Sequence, residues 1–493
     1  MQFANGEKYM DQGNNLKNDT AKGFFWAALS NGTQQVVTMI IGIVMARILS
    51  ISDYAMVAML SVFSVLAGNL QESGFTSALC IKKEAKHEDF NAVFWFSFLM
   101  SFSIYVILFF IAPFIADFNN TPELTLIGRV IFVGFFISSF GTAHAAYLFR
   151  NLMVREKTSS QVLASIASGV TGLTAAICGA GYWSLVVMDL TYKLAYTSLI
   201  WYFSPWRPTV NINLRPAFRM FGFSSRLLIT NMLNTLNNQL LQSILGHYYI
   251  DKEVGQYSQA NKWTSIGSSL LTGMISNVAQ PVLASVNDEE GRQLHIFRKM
   301  LRFTAMLSIP CLLGLGLIAR EFIYLTIGEK WLPCVPYLQT LCIAGAIIPL
   351  NQMFSNLLIS KGQSNYYLIS TCGFLLFQLT AVLTLYPYGV QTLLYAIVSL
   401  NVVWLSVWYL FAHKLVNITF GQTLSDILPF AVIAVIALTG GYYAATPFSS
   451  PLLTLPIKVI VTALIYAVIM QLSGAEIWKE CTQFLLSRIR KKA

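Results

Sequence analysis

Apolar runs of about twenty residues, separated by short polar breaks, recur along the chain from Phe24 to Leu472. A hydrocarbon core of roughly 30 Å takes about 20 helical residues to cross, so each run is long enough to span a bilayer. Lipid offers no hydrogen-bond partner to a bare backbone, which leaves helices or a closed barrel, and these continuous runs lack the alternation of a barrel strand. The pattern predicts an all-α polytopic membrane protein with fourteen spans. They fall at approximately 22 to 49, 54 to 80, 90 to 116, 122 to 148, 158 to 179, 183 to 203, 220 to 248, 254 to 280, 303 to 326, 333 to 360, 364 to 386, 390 to 412, 426 to 447 and 454 to 473. The second, seventh and eighth are polar enough for hydropathy alone to reject them. The first twenty residues are polar, so no separate cleavable signal peptide is expected and the first span acts as its own insertion signal.

Composition agrees: of 493 residues, 55% are apolar and only 11% charged, which excludes a soluble core of ordinary make-up. Charge then checks the span count. With the N-terminus inside, 24 of the 32 Lys and Arg residues fall in cytoplasmic segments, and the outer loops hold only Lys252 and Lys330. A miscounted helix would scramble that asymmetry, so both termini are expected in the cytoplasm. The seven cysteines show no paired spacing and sit mostly inside apolar runs, as packing residues do, with no zinc or disulfide pattern.

An internal repeat appears at an offset near 200: Gly23 matches Gly222, Asp53 matches Glu253, and GYWSL at Gly181 matches GVQTL at Gly389. Six spans is an even number, so the repeat preserves orientation and implies two parallel six-helix lobes. The predicted organisation is a cytoplasmic segment 1–21, a first lobe 22–203, a connector 204–219, a second lobe 220–412, two further helices in 413–473 and a tail 474–493. The connector, SPWRPTVNINLRPAFR, is rich in proline and arginine and suits a strap along the headgroups. The tail reads as a basic amphipathic helix on anionic inner-leaflet lipids, or as a plain topological anchor.

The stretch ARILSISDYAMVAML from Ala46, followed by LQESGFTSALCIKKEAKHEDFNAVFW from Leu70, resembles the polysaccharide-exporter (Wzx-type) branch of the multidrug, oligosaccharidyl-lipid and polysaccharide flippase superfamily. Arg47, Leu49, Asp53 and Tyr54 fit the family pattern, while Ile51 and Ala55 stand where Pro and Gly are usual. Further matches are WRP at Trp206 and the runs from Val254 and Ala279, which extend the resemblance to about residue 420. It implies a two-lobed V around a central cavity. The implied cargo is an undecaprenyl-pyrophosphate-linked oligosaccharide repeat unit, carried from the cytoplasmic to the outer leaflet of a bacterial inner membrane by alternating access.

Candidate site residues come from polar positions that lipid would not tolerate. The first span carries Asn31, Gln34 or Gln35, and Thr38 on one face, and the seventh carries Asn231, Asn234, Asn238 and Gln242. Each unpaired amide in lipid would cost several kcal/mol, so these stripes face the interior, as a hydrated path or as hydrogen-bonded glue between helices. Arg129, Lys193 and Lys262 are embedded cations that could hold a pyrophosphate, with Lys262 the best placed because no acid lies one turn away. Arg129 has snorkelling as its alternative. Asp189 and Lys193, at i and i+4, have mutual neutralisation as theirs. Arg47 matches the family's arginine and either lines the outer mouth or anchors at the interface. Glu72 is the candidate for proton or sodium coupling, with Asp189 a second acid, since burial lets a carboxyl alternate between charged and neutral states.

No cofactor, metal cluster, nucleophile elbow or phosphate loop is visible, and nothing points to nucleic acid. A membrane glycosyltransferase or polymerase would need a sizeable outer loop, and the outer loops here span only a few residues. A multidrug exporter of the same superfamily is the closer alternative, but embedded cations favour an anionic cargo. Other polysaccharide-assembly proteins are candidate partners.

Overall fold

The computed structural model describes residues 35–72, 79, 85–151, 153–249, 251–286, 290–480 and 482–483. Helices occupy all fourteen predicted positions, in order: α1 (Gln35–Ile48), α2 (Ile51–Glu72), α3 (His87–Phe118), a fourth segment in three pieces, α4 (Leu124–Ile131), α5 (Val133–Ser139) and α6 (Thr142–Arg150), then α7 (Val154–Ile177), α8 (Trp183–Phe203), α9 (Arg215–Tyr248), α10 (Asp251–Ser285), α11 (Glu290–Leu317) with its continuation α12 (Ala319–Thr326), α13 (Val335–Ser360), α14 (Ser364–Leu385), α15 (Val390–Val416), α16 (Phe420–Ala445) and α17 (Pro451–Leu472). Among the described residues, nine helices are long and apolar enough to cross a membrane, or ten when the bent fourth segment is taken as one span. The protein is a multi-pass membrane protein. The second segment passes on hydropathy after all, whereas α8, which carries Asp189 and Lys193, joins α9 and α10 among those not apolar enough.

The chain forms two units, Met1–Asp251 and Lys252–Ala493. Helix α9, which the repeat assigns to the second lobe, therefore makes its contacts with the first unit. There the Asn69 amide of α2 donates to Thr235 Oγ1 at 2.5 Å, and His247 contacts the Phe118 carbonyl while its ring stacks on the Phe118 ring.

Within unit 1, glycines decide how closely helices approach. The fourth segment bends by 42° between Ser139 and Thr142. A Cβ at Gly141 would lie 2.7 Å from Ile200 Cδ1, and one at Gly134 would lie 2.7 Å from Lys193 Cδ. Both partners sit on α8, seven residues apart like the glycines themselves, so a smooth groove on the fourth segment receives one face of α8. Gly141→Ala should cost about 1–3 kcal/mol by overpacking, because a backbone oxygen and Ile200 crowd the new methyl. Gly134→Ala should leave stability nearly unchanged, since the flexible Lys193 stem can yield. Thermal unfolding of the two variants would separate these effects.

The connector is fixed to unit 1. Asn91, buried near the start of α3, donates to the Asn211 carbonyl at 2.7 Å and accepts from the Thr209 amide at 2.8 Å, while Trp95 Nε1 donates to the Thr209 carbonyl at 2.8 Å. Trp206 is buried beside Phe90, Phe94 and His144, and the His144 ring stacks on Trp201 with centroids 4.3 Å apart.

Unit 2 packs around Phe297, Phe354, Trp404 and Trp408, and ion pairs attach its last two helices. Helix α15 ends with Asn417 in the left-handed conformation (φ 53°), and two residues later Thr419 caps α16 in reciprocal hydrogen bonds with Gln422. This tight turn sets Asp426, with no exposed side-chain surface, against α11. Arg298 donates to it from Nε at 2.7 Å and Nη2 at 3.0 Å, and Arg302 Nε donates at 2.5 Å. Lys458 of α17 pairs with Glu321 of α12 at 2.7 Å. Beyond α17 the described tail residues include Glu480, which pairs with Lys299 at 2.6 Å; the basic end of the tail lies outside the described residues.

Candidate functional site

A cavity of about 470 Å3 opens inside unit 1 between α2, the bend of the fourth segment, α7 and α8. Its wall is unusual for a membrane bundle. Helix α2 contributes Ser64 and Asn69, the bend contributes Ser138 and Thr142, α7 contributes Lys157 and Gln161, and α8 contributes Tyr192, Lys193 and Tyr196. Neither Asp nor Glu is among the described lining residues. The Ser64 hydroxyl is buried without a hydrogen-bond partner among the described residues, which fits a wall made for a polar occupant.

Each side chain is delivered by a simple periodicity. Lys157 and Gln161 are one turn apart on α7, and Tyr192 and Tyr196 are one turn apart on α8, so each pair shares a helical face. Lys193 lies across the surface left bare by Gly134 and bonds Asp189 at 2.6 Å. The pair is partly exposed, 20% for Lys193 and 36% for Asp189, and Lys193 is the member that lines the cavity. The Lys157 ammonium sits 5.0 Å above the Phe149 ring.

The residues predicted from sequence do not all meet here. Lys193 lines the cavity, with Asp189 beside it. Arg129 faces elsewhere: its guanidinium lies 4.3 Å over the Phe109 ring, against α3. Arg47 is exposed near the end of α1, Asn234 is half-buried and Gln242 buried on α9, and Lys262 is half-buried on α10 in unit 2. Asn31 and Gln34 lie outside the described residues. Asn231 and Asn238 fall within α9 and Glu72 closes the described part of α2, with side chains also outside the description. Sequence reading missed Lys157, which it counted among the topology-setting charges, and also Asn69, Gln161 and the tyrosines. The available signal was the i,i+4 pairing of Tyr192 and Tyr196 in the register of Asp189 and Lys193.

A profile of polysaccharide biosynthesis proteins matches residues 44–336, well over half of the chain. The chain belongs to this family. Among its relatives, the lipopolysaccharide biosynthesis protein WzxC of Escherichia coli (strain K12) is 24% identical over 355 residues, 71% of each chain. The teichuronic acid biosynthesis protein TuaB of Bacillus subtilis (strain 168) is 23% identical over 367 residues, 72% of this chain and 74% of that one. In fold, this family member is similar to the lipid II flippase MurJ in an inward closed conformation, with TM-score 0.74 and 13% identity over 92% of this chain and 100% of that one. It is also similar to an inward-facing multidrug resistance transporter of the MATE family, with TM-score 0.63 and 17% identity over 78% of this chain and 94% of that one. The family match agrees with the polysaccharide-exporter resemblance read from the sequence, and the two solved structures show that the fold is shared.

Proposed function

We propose that the protein flips undecaprenyl-pyrophosphate-linked oligosaccharide repeat units from the cytoplasmic to the outer leaflet of a bacterial inner membrane. The observation that carries the reading is the unit 1 cavity, where two lysines stand among amides, hydroxyls and aromatic rings within a bundle of membrane-protein helices. A headgroup crossing the bilayer leaves its hydration behind and needs fixed cations for phosphate and polar partners for sugar. Lys157 and Lys193 supply the first, and the neutral polar wall supplies the second. Membership of a polysaccharide biosynthesis family supports the same cargo class, as does the resemblance to a lipid II flippase.

On this reading transport proceeds by alternating access with both termini in the cytoplasm, no cofactor is resident, and a proton or sodium gradient acts through Glu72 or Asp189. Lys262 adds positive charge in unit 2. Lys262→Gln should slow flipping about tenfold or more, while Lys262→Arg keeps most of it, because a charge-assisted hydrogen bond contributes about 1.5–3 kcal/mol. Flipping by the Gln variant at the normal rate would remove Lys262 from the pathway. The reading as a whole is tested by removing the protein from cells. Lipid-linked repeat units should then accumulate on the cytoplasmic leaflet, and undiminished export of the polymer would overturn it.

A further inference from the structure

We infer that Tyr192 and Tyr196 form a carbohydrate platform, on which the apolar face of a pyranose ring of the lipid-linked cargo rests during transport. The inference rests on the flippase reading of the same cavity and names what part of the cargo this wall receives. The two rings are parallel to within 4°, their centroids are 6.1 Å apart, and both line the cavity. Tyrosine in a membrane protein ordinarily sits at the headgroup level, with its hydroxyl in the interface. These two stand well away from both ends of their helix: α8 runs Trp183–Phe203, so at 1.5 Å per residue each lies about 10 Å or more from either end.

A pyranose ring has one demand that a phosphate or an acyl chain lacks. Its faces carry slightly positive C–H groups, while its hydroxyls radiate around the rim. An aromatic face is electron-rich and matches the first, and amides or hydroxyls at the same level must match the second. The cavity provides both together: Gln161 and Ser138, on neighbouring helices, line it along with the tyrosines, and Lys193 follows Tyr192 directly in the chain. A purely cationic pocket would serve a phosphate without aligned rings, and a purely aromatic one would serve a hydrophobic drug without the amide and hydroxyls. The volume of about 470 Å3 falls in the roughly 300–1,000 Å3 range of pockets that enclose a small organic ligand.

The test compares two probes on the purified full-length protein in detergent: geranyl pyrophosphate, and the same molecule bearing a single N-acetylglucosamine. Tyr192→Leu and Tyr196→Leu should each weaken binding of the sugar-bearing probe about tenfold while leaving the bare pyrophosphate within twofold. Tyr192→Phe and Tyr196→Phe should bind both probes like the unaltered protein, because the ring face and not the hydroxyl carries the contact. Leu variants that bind the sugar-bearing probe normally, or that lose both probes equally, overturn the platform and return the tyrosines to packing. If the unaltered protein binds neither probe, the flippase reading fails with it. If it binds both and the Leu variants make no distinction, only the platform fails.

Discussion

Replacing Asp426 with alanine should cost about 3 kcal/mol of stability. Its carboxylate has no exposed surface and accepts from both Arg298 and Arg302, so its removal leaves two guanidiniums facing each other with only the exposed Glu476, 4.0 Å from Arg302, as a counter-charge among the described residues. Breaking a buried pair by deleting one partner typically costs 3–5 kcal/mol. The lower figure applies because the arginine side chains are 22% and 33% exposed and recover some hydration. Thermal unfolding of the purified protein in detergent would show the loss. Adding Arg298→Met and Arg302→Met to Asp426→Leu should restore most of it, because a cluster exchanged whole for apolar side chains strands no charge. Asp426→Ala unfolding at the original temperature would show that the cluster contributes nothing.

A second large effect is expected in transport. Changing Lys157 and Lys193 to Gln, with Asp189→Asn so that no carboxylate is stranded, should slow flipping of a pyrophosphate-linked lipid about a hundredfold or more. Each ammonium facing a phosphate contributes about 1.5–3 kcal/mol, and each 1.4 kcal/mol is a factor of ten. Removing Asp189 and Lys193 together distinguishes a working lysine from one that only neutralises its neighbour. A stable triple variant that flips at the normal rate in proteoliposomes would assign both lysines to structure.

What the sequence made legible follows from what is local in it. Each of the fourteen helical positions is written in a run of consecutive residues, and the structure places a helix at every one. The break in the fourth segment was not legible, because Gly141 acts through Ile200 on another helix, and hydropathy carries no such partner. The Asp189–Lys193 pair was legible as an i,i+4 spacing and forms at 2.6 Å. Asp426 and Arg298, 128 positions apart, gave no such signal. The cavity was hidden for the same reason: Asn69, Gln161 and Tyr196 are meaningless singly and converge only when four segments pack. Arg129, read in sequence as an embedded cation, rests on the Phe109 ring, a partner that only packing supplies.

The charge pairs that fasten α16 and α17 also impose a schedule on synthesis. Arg298 meets Asp426 only after 128 further residues, and Glu321 meets Lys458 only after 137. At roughly 5–20 residues per second, the early partners spend on the order of ten seconds or more without their counter-charges. A charged side chain left at the middle of a bilayer costs about 2.5–3.5 kcal/mol, and less toward its edges. A nascent chain halted before Phe420 thus presents exposed arginines and an orphaned glutamate, marks by which membrane quality control could recognise an unfinished chain. Arrival of the last two helices extinguishes both marks.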